Sequence, residues 1–203
     1  MTTRLTVIRH SERIPGTEQL SREGIALAKA RRLDLLDHSI EPSNSTATCS
    51  NLGRTVNTAL NLGYSERSIS RDPRLSRSVE DWISLPRGKS FLEVWTSYQM
   101  DPSTQNLGDF QANIYQERRH TLNPSQSALV ITHETRAEAA LASLLYGSKN
   151  QEEIFRALGQ ALGYAEGYLL TIDGPQLKSI QTLRNKKSEA VNLTFTREEC
   201  PLI

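Results

Sequence analysis

The chain has 203 residues, a formal net charge of +1 and 37% hydrophobic side chains, which is enough for one domain with a sizeable core. No apolar run approaches the roughly 18 residues of a membrane span, and the near-neutral charge favours neither nucleic acid nor a membrane surface as partner. Two cysteines, Cys49 and Cys200, are too few for a disulfide framework and lack the clustered partners of a zinc site, so a cytoplasmic setting without a signal peptide is expected.

The first element is an apolar run, Leu5, Val7 and Ile8, that reads as a buried strand. It delivers Arg9-His10-Ser11-Glu12-Arg13-Ile14-Pro15 to a break at Pro15-Gly16. A strand end is a rigid place from which to aim polar side chains, and two guanidinium forks around a histidine suit a phosphate. The competing reading is a histidine that only bonds its own loop. Ser21 is a good N-cap, with Glu23 in the first turn, for a helix to about residue 37. His38 follows it as a solvated loop residue. Thr46 to Ser50 reads as a short buried strand, and Asn51 to Leu62 as a helix opening directly after it. Arg54 falls in the first turns of that helix. A cation is poorly placed against the dipole there, whereas an anion is well placed, so an anionic partner is preferred for Arg54.

Ser68 to Arg71 predicts a third, weaker strand, and the arginines around it read as a solvated face balanced by Glu80, Asp81 and Glu93. From about 73 to 125 the pattern is less regular and aromatic-rich, with helices expected near 89–99 and 107–120. This stretch is expected to be an insertion or lid over the site, in which Trp82, Arg87 and Trp95 are candidate ligand contacts. Ser127 to Thr132 is the clearest strand. It ends in His133-Glu134-Thr135-Arg136, and a helix follows to about Tyr146. In a parallel α/β sheet this end opens on the same edge as the first strand. Gln151 to Leu162 predicts a helix, Glu166–Ile172 and Leu177–Leu183 two strands across Asp173-Gly174-Pro175, and Ala190 to Phe195 an edge strand or loose tail.

Each strand-to-turn junction is ambiguous alone. Together, in this order, they resemble the histidine phosphatase superfamily. Residues 9–15 match the R-H-G-x-R-x-P pattern of its acid phosphatase branch at every fixed place except Ser11, which stands for glycine and is expected to tighten the turn or alter its approach to phosphate. Leu20-Ser21-Arg22-Glu23-Gly24 is similar to the family's Leu-Thr-x-x-Gly. Ser50 to Ala59 is similar to the segment with the second arginine, and Val130 to His133 to the strand with the second histidine. The resemblance implies one domain over residues 1–203, a three-layer α/β/α sandwich with a mostly parallel, phosphoglycerate mutase-like sheet and a small helical insertion.

It further implies a phosphatase that hydrolyses a phosphomonoester through a phosphohistidine on His10. Arg9, Arg13, Arg54 and His133 would hold the phosphate, with His133 best suited if protonated. The arginines would lower the pKa of His10, and a carbonyl would take its second nitrogen. Glu134, where the acid phosphatase branch usually has Asp, would be the general acid; Glu80 and Asp81 are the alternatives, because the Leu-x-Glu acid of the mutase-like branch is missing after Leu75. The scheme needs no cofactor or metal. The expected partner is a phosphorylated small molecule or phosphoprotein, with neither nucleic acid nor membrane. A mutase-type phosphotransfer enzyme and a non-catalytic domain that binds phosphorylated ligands are the other readings.

Overall fold

Alternation of apolar residues along the central strands sorts the core into two layers. In this computed structural model, which describes residues 2–76, 90–122, 126–196 and 199–200, seven strands form one sheet in the order β3-β2-β4-β1-β5-β6-β7. They are β1 (Thr2–Arg9), β2 (Ser45–Cys49), β3 (Ile69–Arg71), β4 (Ser127–Thr132), β5 (Gly167–Asp173), β6 (Gln176–Leu183) and β7 (Asn192–Thr194). The first four run parallel, and β5, β6 and β7 each pair antiparallel with the strand before them in the sheet. The described residues form six α-helices: α1 (Arg22–Asp37), α2 (Gly53–Asn61), α3 (Phe91–Met100), α4 (Pro102–His120), α5 (Arg136–Leu144) and α6 (Gln151–Leu158).

Leu5 and Val7 of β1, with Ala128 and Val130 of β4, face a cluster built from α3, α4, α5 and α6. Ile8, Leu129 and Ile131 point the other way, to α1 and α2. Strands buried on both faces read as continuous apolar runs, which is why β4 was the clearest element in the sequence. The expected three-layer sandwich with a mostly parallel core is what the chain adopts.

Differences from the expected elements have local causes. The α6 helix stops at Leu158, not Leu162, because Gly159 takes a positive φ of 76° and turns the chain. The second helix of the middle region begins at Pro102, capped by Asp101, five residues earlier than expected. Trp95 lies in the core, stacked on Phe155 at 5.0 Å and 5°; packing accounts for it. Arg74 is answered by Asp72 and Glu117 rather than Glu93, whose carboxylate closes a capping box with Ser90. His38 is half-buried and accepts at Nε2 from Gln181 (3.2 Å) instead of being solvated. Glu80, Asp81, Trp82 and Arg87 lie outside the described residues. Within the 73–125 stretch, α3 and α4 pack against the sheet as part of one helical layer.

Candidate active site

The Arg9-His10 peptide is the base of the site. The Arg9 N–H donates to the Glu166 carbonyl (2.8 Å) and the His10 N–H to the Thr132 carbonyl (2.9 Å), so the dipeptide is fixed between β5 and β4. His10 is 7% exposed. Its Nδ1 lies 2.7 Å from the Ser11 carbonyl, which only accepts, so Nδ1 carries the proton and Nε2 keeps its lone pair. Burial first, then the charges of Arg54, Arg9 and Arg13, hold the imidazole pKa down to about 4 against the opposing Ser11 bond. A neutral, oriented imidazole is the form that attacks an electrophile.

Ser11 fits the place of a glycine. Its Oγ donates to the Gly24 carbonyl (2.6 Å), and its N–H donates to Thr58 Oγ1 (2.9 Å). Gly24 is itself required, since a Cβ there would strike the Glu12 carbonyl. The loop after β1 is thus fastened to the start of α1, where the Ser21 hydroxyl caps the Gly24 N–H.

Two arginines converge beside His10. Arg9 donates to the Leu162 carbonyl (2.7 Å) and to Glu134 Oε2 (3.0 Å), and its guanidinium lies 4.4 Å from the Tyr164 ring centroid. Arg54, in the first turn of α2, donates to Glu18 Oε1 (2.5 Å) and reaches His133 Nδ1 at 3.5 Å. The Nε of each is buried with no hydrogen-bond partner among the described residues. Arg13 donates to the Thr17 carbonyl from the following loop.

At the end of β4, His133 sits 5.2 Å from His10 between ring centroids. Its Nε2 donates to Ser50 Oγ (3.1 Å), leaving Nδ1 as acceptor toward Arg54. Burial above all, then His10, Arg136, Arg54 and Arg9, push its pKa down to about 2, so the expected imidazolium is neutral in this arrangement. Glu134 follows, with a side chain 30% exposed. Thr135 then takes a φ of 67°, an uncommon conformation for a β-branched residue, and starts α5.

Arg9, His10, Arg13, Arg54, His133 and Glu134 therefore share one edge of the sheet. Three contributors escaped the sequence: Glu18, which sits on Arg54, and Leu162 and Tyr164 of the 159–166 loop. The glycines at 159 and 163 were the available signal for that loop. Buried Arg184 organises it, donating to the carbonyls of Leu158, Gln160 and Ala161 and to Glu166. Buried Glu138 accepts from the Leu162 N–H (2.8 Å). Among the described residues no cluster of three or more His, Cys, Asp or Glu is arranged to hold a metal, and no helix is long and apolar enough to cross a membrane.

The seven-stranded sheet with helices on both faces, at whose strand ends an Arg-His pair, a second arginine and a His-Glu pair gather, resembles solved phosphatases in fold. The chain is similar in fold to phosphoserine phosphatase from Entamoeba histolytica in complex with 3-phosphoglyceric acid (14% identity, TM-score 0.58, covering 91% of this chain and 98% of that one). It is also similar to mycobacterial glucosyl-3-phosphoglycerate phosphatase (19%, 0.52, 84% and 91%). A third likeness is to mycobacterial hydrolase 1 (18%, 0.52, 98% and 100%). No family model and no curated protein matches the sequence.

Proposed function

We propose that the chain is a phosphomonoesterase working through a phosphohistidine on His10. The observation that carries this reading is the state of His10: neutral, its Nδ1–H tied to Ser11, its Nε2 lone pair available beside Arg9 and Arg54. The names of two fold neighbours, both phosphatases, support it. Arg9, Arg13, Arg54 and His133 would hold the phosphoryl oxygens, the charge that must be in place before a nucleophile approaches a dianion. As Nε2 forms its bond to phosphorus, the ester P–O bond breaks and the oxygen takes its electron pair and a proton from Glu134. In the second step water loses a proton to Glu134 and attacks phosphorus, and the P–N electrons return to His10. The dianion raises the pKa of His133, so binding draws in a proton and makes His133 the cation that the phosphate calls for. None of these steps uses a metal.

The R-H-x-x-R-x-P spacing supports the acid phosphatase branch. Two buried, unpaired cysteines support a cytoplasmic location. In our reading residues 1–203 are one domain and, of the 73–125 stretch, the Pro73–Ser76 turn adjoins the site, with Ser76 bonded to Asn51 and the Leu75 carbonyl to Arg136. Phosphorylated small molecules are the favoured substrates.

The test is to mix the protein with a radiolabelled phosphomonoester and quench in alkali, where phosphohistidine survives. Label should appear on His10, turn over, and vanish in His10→Ala. Hydrolysis that persists in His10→Ala refutes the nucleophile. For Glu134→Gln, an alkyl ester should slow far more than a phenolic one, whose leaving group needs little protonation; equal slowing removes Glu134 from the acid role.

A further inference from the structure

The loop between β1 and α1 carries a carboxylate that the phosphatase chemistry does not use. Glu18 accepts from Arg54 Nη1 at 2.5 Å and from the Arg54 backbone N–H at 3.3 Å, and its own carbonyl accepts from Asn57 Nδ2 at 3.4 Å. Gly53 underlies the contact, because a Cβ there would stand 2.9 Å from Glu18 Cβ. The loop is therefore seated on α2 at several points and Glu18 is held in position. Its side chain remains 45% exposed, against 18% for Arg54, so one side of the carboxylate meets the guanidinium and the other meets solvent. Glu134 stands in the same relation to Arg9 on the opposite wall.

We propose that Glu18 is a specificity-determining residue: the site takes phosphomonoesters whose organic part is neutral or cationic, and disfavours those with a carboxylate within a few bonds of the ester. This rests on Arg54 being a phosphate ligand. Glu18 already shares the Arg54 charge before any ester arrives. A phosphoryl dianion held by Arg54 draws on the same guanidinium. A further carboxylate leaving past Arg54 meets Glu18 itself, with the Arg54 charge divided between Glu18 and the phosphate. Two half-exposed carboxylates roughly 6 Å apart repel enough to cost about tenfold in affinity.

The experiment compares glycerol 3-phosphate with 3-phosphoglycerate, which differ only in a hydroxymethyl for a carboxylate. Their dissociation constants are measured by calorimetry on the His10→Ala protein, so that binding is read without turnover. Glycerol 3-phosphate should bind about tenfold more tightly. Adding Glu18→Gln should bring the ratio to roughly twofold or less, and adding Gly53→Ala, which keeps the charge but displaces it, should give a ratio in between. Equal binding of both esters with Glu18 present overturns the proposal, as does a ratio that Glu18→Gln leaves unchanged. Failure of the phosphatase reading shows separately, as absence of phospho-His10 in the intact protein while the binding ratio is still read. If neither ester binds, the Glu18 proposal falls, while phospho-His10 labelling still decides the phosphatase reading.

Discussion

Ser11→Gly introduces the glycine of the R-H-G-x-R-x-P pattern, yet it should weaken this protein. The Ser11 side chain is fully buried and its hydroxyl holds the Gly24 carbonyl at 2.6 Å. Losing that bond costs about 1 kcal/mol, and a glycine in place of a side-chain-bearing residue adds about 0.5–1 kcal/mol of backbone entropy. The expected total is about 1.5–2 kcal/mol, or roughly 3–8 °C in Tm for a chain of this size. Ser11→Ala removes only the bond and should lose about 1 kcal/mol. Because the Ser11 carbonyl also fixes the His10 tautomer, a looser loop should lower kcat/KM of Ser11→Gly by roughly three- to tenfold. Urea unfolding of the parent and both variants, with kinetics on a generic ester, checks all of this. If both variants are as stable as the parent, the Ser11–Gly24 bond does not hold the loop and the reasoning fails.

His10 and His133 have pKa values of about 4 and about 2 in the folded chain, against 6.5 ordinarily. The unfolded chain binds protons below pH 6.5 that the folded chain refuses, so stability falls with falling pH from there to about 4 for His10 and onward for His133. Each pH unit costs up to about 1.4 kcal/mol per histidine, and urea midpoints at pH 7 and 4.5 should show a drop that is smaller in a His10→Gln, His133→Gln protein. Glu138 is fully buried and its pKa is raised from 4.5 by desolvation. Its penalty is absent in acid and grows as pH rises through the ordinary carboxyl range, so Glu138→Gln, which still accepts from Leu162, should gain stability over the parent between pH 4 and 8; a constant difference would contradict this. Arg184→Met removes the counter-ion of the buried Glu166 carboxylate and the donor to three carbonyls, and should cost about 3–5 kcal/mol in thermal unfolding. Arg184→Lys should recover part of that loss together with part of kcat/KM.

The legible parts of this chain were those where one physical signal dominates. β4 is buried on both faces and closes on the β-branched run Val130-Ile131-Thr132, so it could be read as a strand from its sequence. Arg54 stood out because a cation in the first turn of a helix needs an anion, and the chain does supply one, Glu18, from 36 residues away. That partner could not be read, since nothing local in Thr17-Glu18-Gln19 distinguishes it from a solvated loop. The 159–166 segment was missed for a related reason: its apolar residues continue the spacing of α6, and only the φ of Gly159 separates helix from loop. The place of His133 at the end of β4 was legible but not its charge, because its pKa is set by burial among elements distant in sequence.

The hydrogen bonds of Arg9 and His10 to strands on opposite sides have a consequence for how the protein fails. Exposing these two amides to solvent requires β1 to part from β5 and from β4 together, which is close to unfolding the whole sheet. The base of the site should thus rank among the slowest positions in amide hydrogen exchange, while the 14–20 loop, seated on α2 by side-chain contacts, exchanges through small local openings. Mild denaturant would then loosen the Glu18 wall well before it disturbs His10, and selectivity among esters would erode while the nucleophile still stands in place.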